Sequence, residues 1–591
     1  MLNLDDADLH NKLPNMSIDD LRALASGIRE FLLDTLSRTG GHIGANLGVV
    51  ELTLALHRVF RSPHDAIVFD TGHQGYVHKI LTGRARALGT LNTFGGLSRF
   101  LTRAESKHDP IDASHGGTAL SLGMGLAIAR STTPDTGSVV CVVGDGSLCE
   151  GMSLEALNHL PATNARIILV VNDNGYAISP GSGGIHNALQ DKCGAAKALF
   201  NSLGYPYIGP IDGHDLSRLI EALEEAHSSA QPLVIHVKTT KGFGWPPADA
   251  HPYRFHFSLP FNRDSGVLLE PQLPQTYPEL AASLIESAME SDSRIVCVTP
   301  STLYATGLEN IFRRFPSRSF DPGMAEQHAM GLACGLALAG MVPVIAFQST
   351  FMQRAFDQLI HDVCYHNAPV LILCARSGFS GYDGPQHHGI YDLSYLQCVP
   401  NLRVICPKDG YELERMILGE LRSLSSPTAV LMPYGAISRL DANVIQESDA
   451  MFRRPQLLTV GSDITLVSIG SRFSACQDAV NHLRKTGISA GIINLRYIKP
   501  VPGDWIFENV KTCDRLVVVE EAVVGGSIGS EIVAQLSICR WKGDFLQVGL
   551  PVSFVEAGSI AELEREYDLD GSGIVNAIYK FWPEISRPPN Q

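Results

Sequence analysis

No CxxC pair occurs among the twelve cysteines, and the closest pairs, Cys141/Cys149 and Cys398/Cys406, stand eight residues apart. That spacing excludes a zinc ribbon and gives no support to a disulfide framework. Cys141 in VVCVV and Cys374 in LILCA sit inside apolar runs, the pattern of buried free thiols in a reducing compartment. Positive charge is also scarce. Lys and Arg total 46 against 61 Asp and Glu, a formal net charge of -15. An acidic surface of that size speaks against nucleic acid and anionic membranes as general partners. Small anions are a separate matter, because they feel only a local pocket. The opening residues, MLNLDDADLHNK, are acidic and polar, unlike a signal or transit peptide. No long membrane-like run is present either. The 19 uncharged residues from Ala329 to Phe347 contain several glycines and Pro343, and read as a small-residue helix followed by a strand rather than a membrane span. Short-period repeats and low-complexity tracts are missing. These absences together describe a soluble, cytoplasmic chain.

What is present is length and alternation. The chain has 591 residues, of which 45 % are hydrophobic and 18 % charged, so disorder is excluded as the main state. At roughly 100–200 residues per domain, several domains are expected. Ser17 and Asp20 form a capping box before Leu21, Leu24, Ile28, Phe31 and Leu32, and Gly40 and Gly41 stop the helix. Strand-like runs follow at 66–70, 138–143, 166–171 and 232–237. Apolar strands separated by helices imply parallel sheets covered on both faces. The Pro-rich stretch EPQLPQTYPE at 270–279 reads as a linker, as does the polar stretch between about Ser438 and Gln456. The chain therefore divides into three α/β units, at 1–270, 278–440 and 457–591.

The sharpest local signal is Gly144-Asp145-Gly146-Ser147 directly after SVVCVV, with Asn174 directly after the next strand, 29 residues beyond Asp145. A strand–helix–strand unit with a right-handed crossover places both at the carboxyl ends of neighbouring strands, where open α/β sheets bind ligands. One carboxylate and one amide oxygen suit Mg²⁺, whose octahedron phosphate oxygens and water would complete. The glycines let backbone approach a diphosphate. Gly-Asp-Gly is also ordinary turn chemistry, and the pairing with Asn174 is what favours the metal.

This GDG…N arrangement resembles the diphosphate-binding motif of thiamine-diphosphate enzymes. Met324-Ala325-Glu326-Gln327-His328-Ala329 likewise resembles the glutamate segment of the transketolase superfamily. The cofactor needs a carboxyl at N1′ of its aminopyrimidine, favouring the tautomer whose nitrogen takes the proton from the thiazolium C2. A helix-start glutamate taken alone is usually a solvated cap. The run from Gly40 to Gly48, FDTGHQGYVHKILTGR at 69–84, GGLSRF at 95–100, YIGPIDGHD at 207–215, QSTFMQRAFDQLIHDV at 348–363 and YDLSYLQCVPNL at 391–402 resemble the 1-deoxy-D-xylulose-5-phosphate synthase family across nearly the whole chain, including the VVGGSIGSEI turn at 523–532.

The resemblance implies three doubly wound α/β domains of transketolase-like architecture: a diphosphate domain, an aminopyrimidine domain and a C-terminal domain, in a homodimer. It implies a transferase of two-carbon units that uses thiamine diphosphate and Mg²⁺, with pyruvate and an aldehyde as substrates. Asp145, Asn174 and the carbonyl of Tyr176 would hold Mg²⁺. Gly144, Gly146, Ser147 and His115 would lie on the cofactor, Glu326 would activate it, and Phe351 would stack on its ring. His42, His73, His256 and His387 would line the reaction centre, with Asp383 nearby; histidine suits proton transfer near neutrality. Taken singly, each of these histidines also fits the less favoured reading of an ordinary core or surface residue.

The departures from the family pattern lie where the acceptor would bind. Gln348 stands where tyrosine is usual. Ala429-Val430-Leu431-Met432-Pro433-Tyr434-Gly435 stands where AVRYPRG is usual, so Leu431 and Tyr434 replace two arginines. Arginine holds phosphate by bidentate, charge-assisted bonds that neither residue can make. Each lost bond is worth about 1.5–3 kcal/mol. Arg354 and Arg376 remain. The segment between Ser179 and Tyr207 is short relative to the family, and Ala250 replaces a lysine. The expectation is decarboxylative carbon–carbon ligation onto an aldehyde that is less phosphorylated, or larger and more apolar, than glyceraldehyde 3-phosphate. The alternatives are an authentic synthase, a transketolase with a ketose donor, and a non-catalytic paralogue serving as a binding subunit.

Overall fold

The computed structural model describes residues 3–132, 137–270, 274–438 and 448–586. Two compact units emerge, one of 1–273 with 322–325 and one of 274–321 with 326–591.

The first unit opens on the helix Ile18–Thr39. Ser17 and Asp20 cap it reciprocally, and the chain leaves through Gly40 at φ +72°. Leu21, Leu24, Ile28 and Leu32 are its buried face, so the apolar periodicity did set which side is covered. The sheet consists of β1 (Ala66–Phe69), β2 (Val139–Gly144), β3 (Ile167–Asp173), β4 (Tyr207–Asp212) and β5 (Leu233–Lys238). Its order is β1-β2-β3-β5-β4, and every pairing is parallel. β2 and β3 are buried along almost their entire length, because helices cover both faces. β4 escaped the sequence reading: it contains Pro210, tolerated because this is an edge strand, and it is only partly buried. The short segment between Ser179 and Tyr207 folds as two helices, Gly183–Gln190 and Ala195–Ser202.

The second unit holds two sheets. Its strands are β6 (Ile295–Val298), β7 (Ser319–Phe320), β8 (Val342–Gln348), β9 (Leu371–Ser377), β10 (Arg403–Ile405), β11 (Thr428–Pro433), β12 (Gln456–Thr459), β13 (Ile464–Ile469), β14 (Ala490–Leu495), β15 (Tyr497–Lys499), β16 (Arg515–Val523) and β17 (Asp544–Leu550). One sheet runs β15-β10-β11-β9-β8-β6-β7, the other β12-β14-β13-β16-β17. β15 comes from the C-terminal region yet pairs antiparallel with β10. The two sheets also share one apolar cluster, in which Ile345, Ile372 and Leu431 from the first lie with Val467, Leu495 and Leu516 from the second. The second and third α/β regions therefore fold as one body with two sheets. Each sheet is parallel apart from an edge strand.

The linker reading needs correction. Thr276 caps the helix Tyr277–Ser291 through a capping box with Glu279, and Pro278 occupies its first turn. The residues TYPE thus begin a helix, while 271–273 lie outside the described residues. Of the second polar stretch, 439–447 also lie outside them; around it, Asp449–Phe452 is helical and Gln456–Thr459 is β12. The run 329–347 falls into the helix Glu326–Leu338 and strand β8. Among the described residues no helix is long and apolar enough to cross a membrane. All twelve cysteines are free, and eight of them are buried.

Candidate active site

In the first unit the candidate residues follow the carboxyl ends of four strands of one parallel sheet. His73 follows β1, Asp145 follows β2, Asn174 follows β3 and Lys241 follows β5, at the edge where such sheets take ligands.

Asp145 begins a single helical turn, Asp145–Leu148. Its carboxyl is 3 % exposed. Oδ2 accepts from the backbone N–H of Gly175 at 3.0 Å, and Oδ1 is buried without a hydrogen-bond partner. Burial, and then the neighbouring Asp173 carboxylate, push its pKa up to about 7. A buried, half-satisfied carboxyl beside a second carboxylate fits a cation seat, and Mg²⁺ there would hold it ionised. The loop Asn174–Gly181 curls over it. Asn174 Oδ1 accepts from Tyr176 N–H at 3.0 Å, and Gly181 N–H reaches Gly175 O at 2.8 Å. Gly146 is required there, because a Cβ would lie 2.6 Å from the Cβ of Ala177. Among the described residues no group of three or more His, Cys, Asp or Glu side chains could hold a metal. A hard ion served by one carboxylate, one amide oxygen and one carbonyl fits this donor set better than zinc.

Two residues here were missed in the sequence. Lys241 is 3 % exposed and donates to the carbonyl of Ala177 at 3.0 Å. Desolvation lowers its pKa to about 7, with Asp145 opposing. It places a basic side chain beside the loop 174–181, and its KG context gave no distinctive signal. Asn46 is fully buried. It donates to the carbonyls of His42 at 2.8 Å and His73 at 2.9 Å, and accepts from Tyr76 N–H at 2.8 Å. One amide thus fixes the two segments that carry the histidines.

Those histidines do converge. The ring centroids of His42, His73 and His256 lie 5.1–5.5 Å apart, with Phe100 and Phe257 against His42. Desolvation lowers His73 to about 3 and drives His256 far below its ordinary range, so both are neutral at pH 7. His115 lies in the loop before the helix Ala119–Ser131, where Asp70 accepts from the N–H groups of Gly117 and Ala119, each at 2.9 Å.

In the second unit Glu326 follows β7, and Gln348, Arg376 and Tyr434 lie at or just beyond the carboxyl ends of the adjacent strands β8, β9 and β11. Glu326 opens the helix Glu326–Leu338 and is 7 % exposed. Burial raises its pKa, with Arg354 opposing, which suits a carboxyl that shares its proton with a ring nitrogen. Gln348 ends β8 and is buried. Phe351 lies in the next turn, edge-on to His387 with centroids 5.7 Å apart. Arg376 near the end of β9 takes φ +60°, a strained backbone for a side chain of its size. Its guanidinium binds Asp383 at 2.5 Å and lies 4.9 Å from the centre of the Tyr434 ring. Tyr434 itself is 43 % exposed.

Leu431, in the middle of β11, is placed differently. It is fully buried, and its side chain lies in the shared cluster with Val404 and Val467. Strand alternation sends Val430 and Met432 into the cluster on the opposite face of the sheet. Leucine at this position therefore packs into the core, and it also borders a small cavity with Ser377, Gly378 and Glu521.

The comparisons with known proteins cover most of the chain in three stretches. A family model described as 1-deoxy-D-xylulose-5-phosphate synthase matches 4–196 and 191–239, the transketolase pyrimidine binding domain matches 274–438, and the transketolase C-terminal domain matches 456–574. The 1-deoxy-D-xylulose-5-phosphate synthase of Heliobacterium modesticaldum is 37 % identical over 95 % of this chain and 93 % of its own length. That of Desulfotalea psychrophila is 37 % identical over 99 % and 97 %. The protein of Geobacter sulfurreducens named 1-deoxy-D-xylulose-5-phosphate synthase 2 is 38 % identical over 97 % and 98 %. At that identity over almost the full length, with a fold of the transketolase type, the chain belongs to the 1-deoxy-D-xylulose-5-phosphate synthase family.

Proposed function

We propose that this protein transfers a two-carbon unit from pyruvate, with loss of CO₂, to an aldehyde whose far end carries less negative charge than a phosphate. Thiamine diphosphate bound with Mg²⁺ supplies the electron sink for decarboxylation and carbon–carbon bond formation. The side chains of this protein do the rest. Asp145, Asn174 and the carbonyl of Tyr176 hold the metal, and Gly144, Gly146, Ser147 and Lys241 meet the diphosphate. Glu326 shares a proton with the aminopyrimidine ring, and Phe351 packs on it. His42, His73, His256 and His387 offer hydrogen bonds to the reacting oxygens. His73 and His256, held neutral, can orient or relay a proton without carrying a standing charge.

One observation carries the acceptor reading: Arg376 is already occupied. Asp383 neutralises it at 2.5 Å and Tyr434 covers its face, so little of its charge is left for a phosphate. The competing reading, an authentic 1-deoxy-D-xylulose-5-phosphate synthase, draws on the relatives' names and on Arg354. Steady-state rates with pyruvate and either D-glyceraldehyde or D-glyceraldehyde 3-phosphate separate the two. The proposal expects kcat/KM for the phosphate to be no higher than for the free aldehyde. Saturation at low micromolar D-glyceraldehyde 3-phosphate would sink it. As a working assembly we infer a homodimer, supported by large exposed apolar residues on two helices of the first unit: Leu122 and Ile128 on Ala119–Ser131, and Met152 and Leu154 on Gly151–His159.

A further inference from the structure

The loop 378–389 follows β9 and carries Asp383 and His387, and the C-terminal region holds it at three points. Glu521, in the last third of β16, reaches it first: its Oε1 accepts from the backbone N–H of Phe379 at 2.7 Å. The other oxygen, Oε2, accepts from Ser471 Oγ at 2.8 Å and faces Arg472 at 3.0 Å. Arg472 is 5 % exposed and also pairs with Glu564. The fit is close, since a Cβ on Gly378 (φ +79°) would fall 2.5 Å from Glu521 Oε1.

His388 provides the second point. The N–H of Ser380 donates to its Nδ1 at 2.8 Å, and its Nε2 meets the carbonyl of Glu556 at 3.0 Å. Nδ1 must then be bare and Nε2 must carry the proton, so this histidine is a neutral strut with both nitrogens committed. At the third point, Tyr382 Oη donates to Glu562 Oε2 at 3.0 Å. From the loop's own sheet, Arg376 holds Asp383 at 2.5 Å and Thr350 Oγ1 donates to the carbonyl of Gln386 at 3.0 Å. The loop that presents Asp383 to Arg376 is thus also held from the C-terminal region.

We propose that Glu521 is a positioning residue for acceptor use, acting through the N–H of Phe379 to set the loop that carries Asp383 and His387. It reaches no cofactor-holding residue named above, so its loss is felt where the aldehyde is received. The inference rests on the reading of Arg376 and Asp383 as the acceptor's contacts, and the test separates the two ideas.

Glu521→Ala, Glu521→Gln and, as a packing control, Leu563→Ala are compared in the full-length chain; Leu563 is fully buried in the C-terminal cluster. Three quantities are measured: hydrogen–deuterium exchange over 377–389, CO₂ release from pyruvate without acceptor, and kcat and KM for D-glyceraldehyde and D-glyceraldehyde 3-phosphate. Glu521→Ala should speed exchange over 377–389 and raise the KM of the better aldehyde by about tenfold, with CO₂ release within about twofold of the parent. Glu521→Gln keeps an oxygen for the Phe379 N–H and should recover most of the loss. Unchanged exchange over 377–389 overturns the proposal. So does loss of CO₂ release and acceptor use in step with Leu563→Ala. If exchange rises while neither aldehyde's kinetics change, Glu521 still fails as a positioning residue for acceptor use. If the parent enzyme uses neither aldehyde, the acceptor reading fails, and the exchange comparison still decides whether Glu521 places the loop.

Discussion

Arg376, Asp383 and Tyr434 show what a single residue can and cannot reveal in sequence. The replacement of arginine by Tyr434 was legible, and it proved to lie against the guanidinium of Arg376. The parallel replacement at Leu431 looked equivalent, yet strand alternation buries that side chain in the core. Sequence spacing alone did not fix which face of β11 would meet the end of β9. The two positions therefore predict opposite outcomes. Tyr434→Arg adds a bidentate phosphate donor at an exposed position and should raise kcat/KM for D-glyceraldehyde 3-phosphate by one to two orders of magnitude, about 1.5–3 kcal/mol. The rate with D-glyceraldehyde should barely change. Leu431→Arg buries an unpaired charge and should lower the thermal midpoint with no gain for the phosphate. At Glu326 the expectation is loss of chemistry without loss of fold: Glu326→Ala should abolish turnover while circular dichroism and the melting profile stay near the parent's. Normal turnover would reject its assignment. Asn46 and Lys241 were not legible, because a buried amide and a lysine are common in any chain and only their partners give them meaning.

At the scale of elements, strands with continuous apolar runs were read from sequence, and short or interrupted ones were not. β2, β3 and β9 announce themselves because burial on both faces leaves no polar alternation. β15, with three residues, and β4, with a proline, give no such signal; sheet neighbours determine them. The helix Ile528–Ile538 begins within the run VVGGSIGSEI at 523–532 and hides another element-level device. Glu520 at its approach is fully buried, and its Oε1 accepts from Ser527 Oγ at 2.6 Å and from Gln547. Burial pushes its carboxyl up to about 7, against those hydrogen bonds. A raised carboxyl pKa means that the folded chain binds more protons than the unfolded one between pH 4.5 and 7. This group's contribution to stability is therefore complete below about pH 4.5 and is lost as pH rises through about 7. Glu520→Gln carries no such charge. Its melting temperature relative to the parent should climb from pH 4.5 to 7.5, and a difference independent of pH would refute the assignment.

For the whole molecule, the decisive question is whether the first unit's carboxylate seat takes a metal with the diphosphate. The buried, partnerless Oδ1 of Asp145, beside the Asp173 carboxylate, gains a partner when a cation binds, so ligand binding should register as stability of the protein itself. A ligand at a hundred times its Kd adds about 2.7 kcal/mol, and for domains of this size each kcal/mol moves the midpoint by about 2–4 °C. Thiamine diphosphate with Mg²⁺ should therefore raise the melting temperature by several degrees. Thiamine diphosphate with a chelator should do much less, because the diphosphate would face Asp145 without an intervening cation. In Asp145→Ala the Mg²⁺-dependent part of the rise should vanish while the unliganded protein melts no lower than the parent, since the substitution removes a buried charge that lacks compensation. A rise that survives both the chelator and Asp145→Ala would show that the diphosphate is held without this metal seat. The acidic surface would then leave Lys241, a buried lysine beside that loop, as the principal counter-charge.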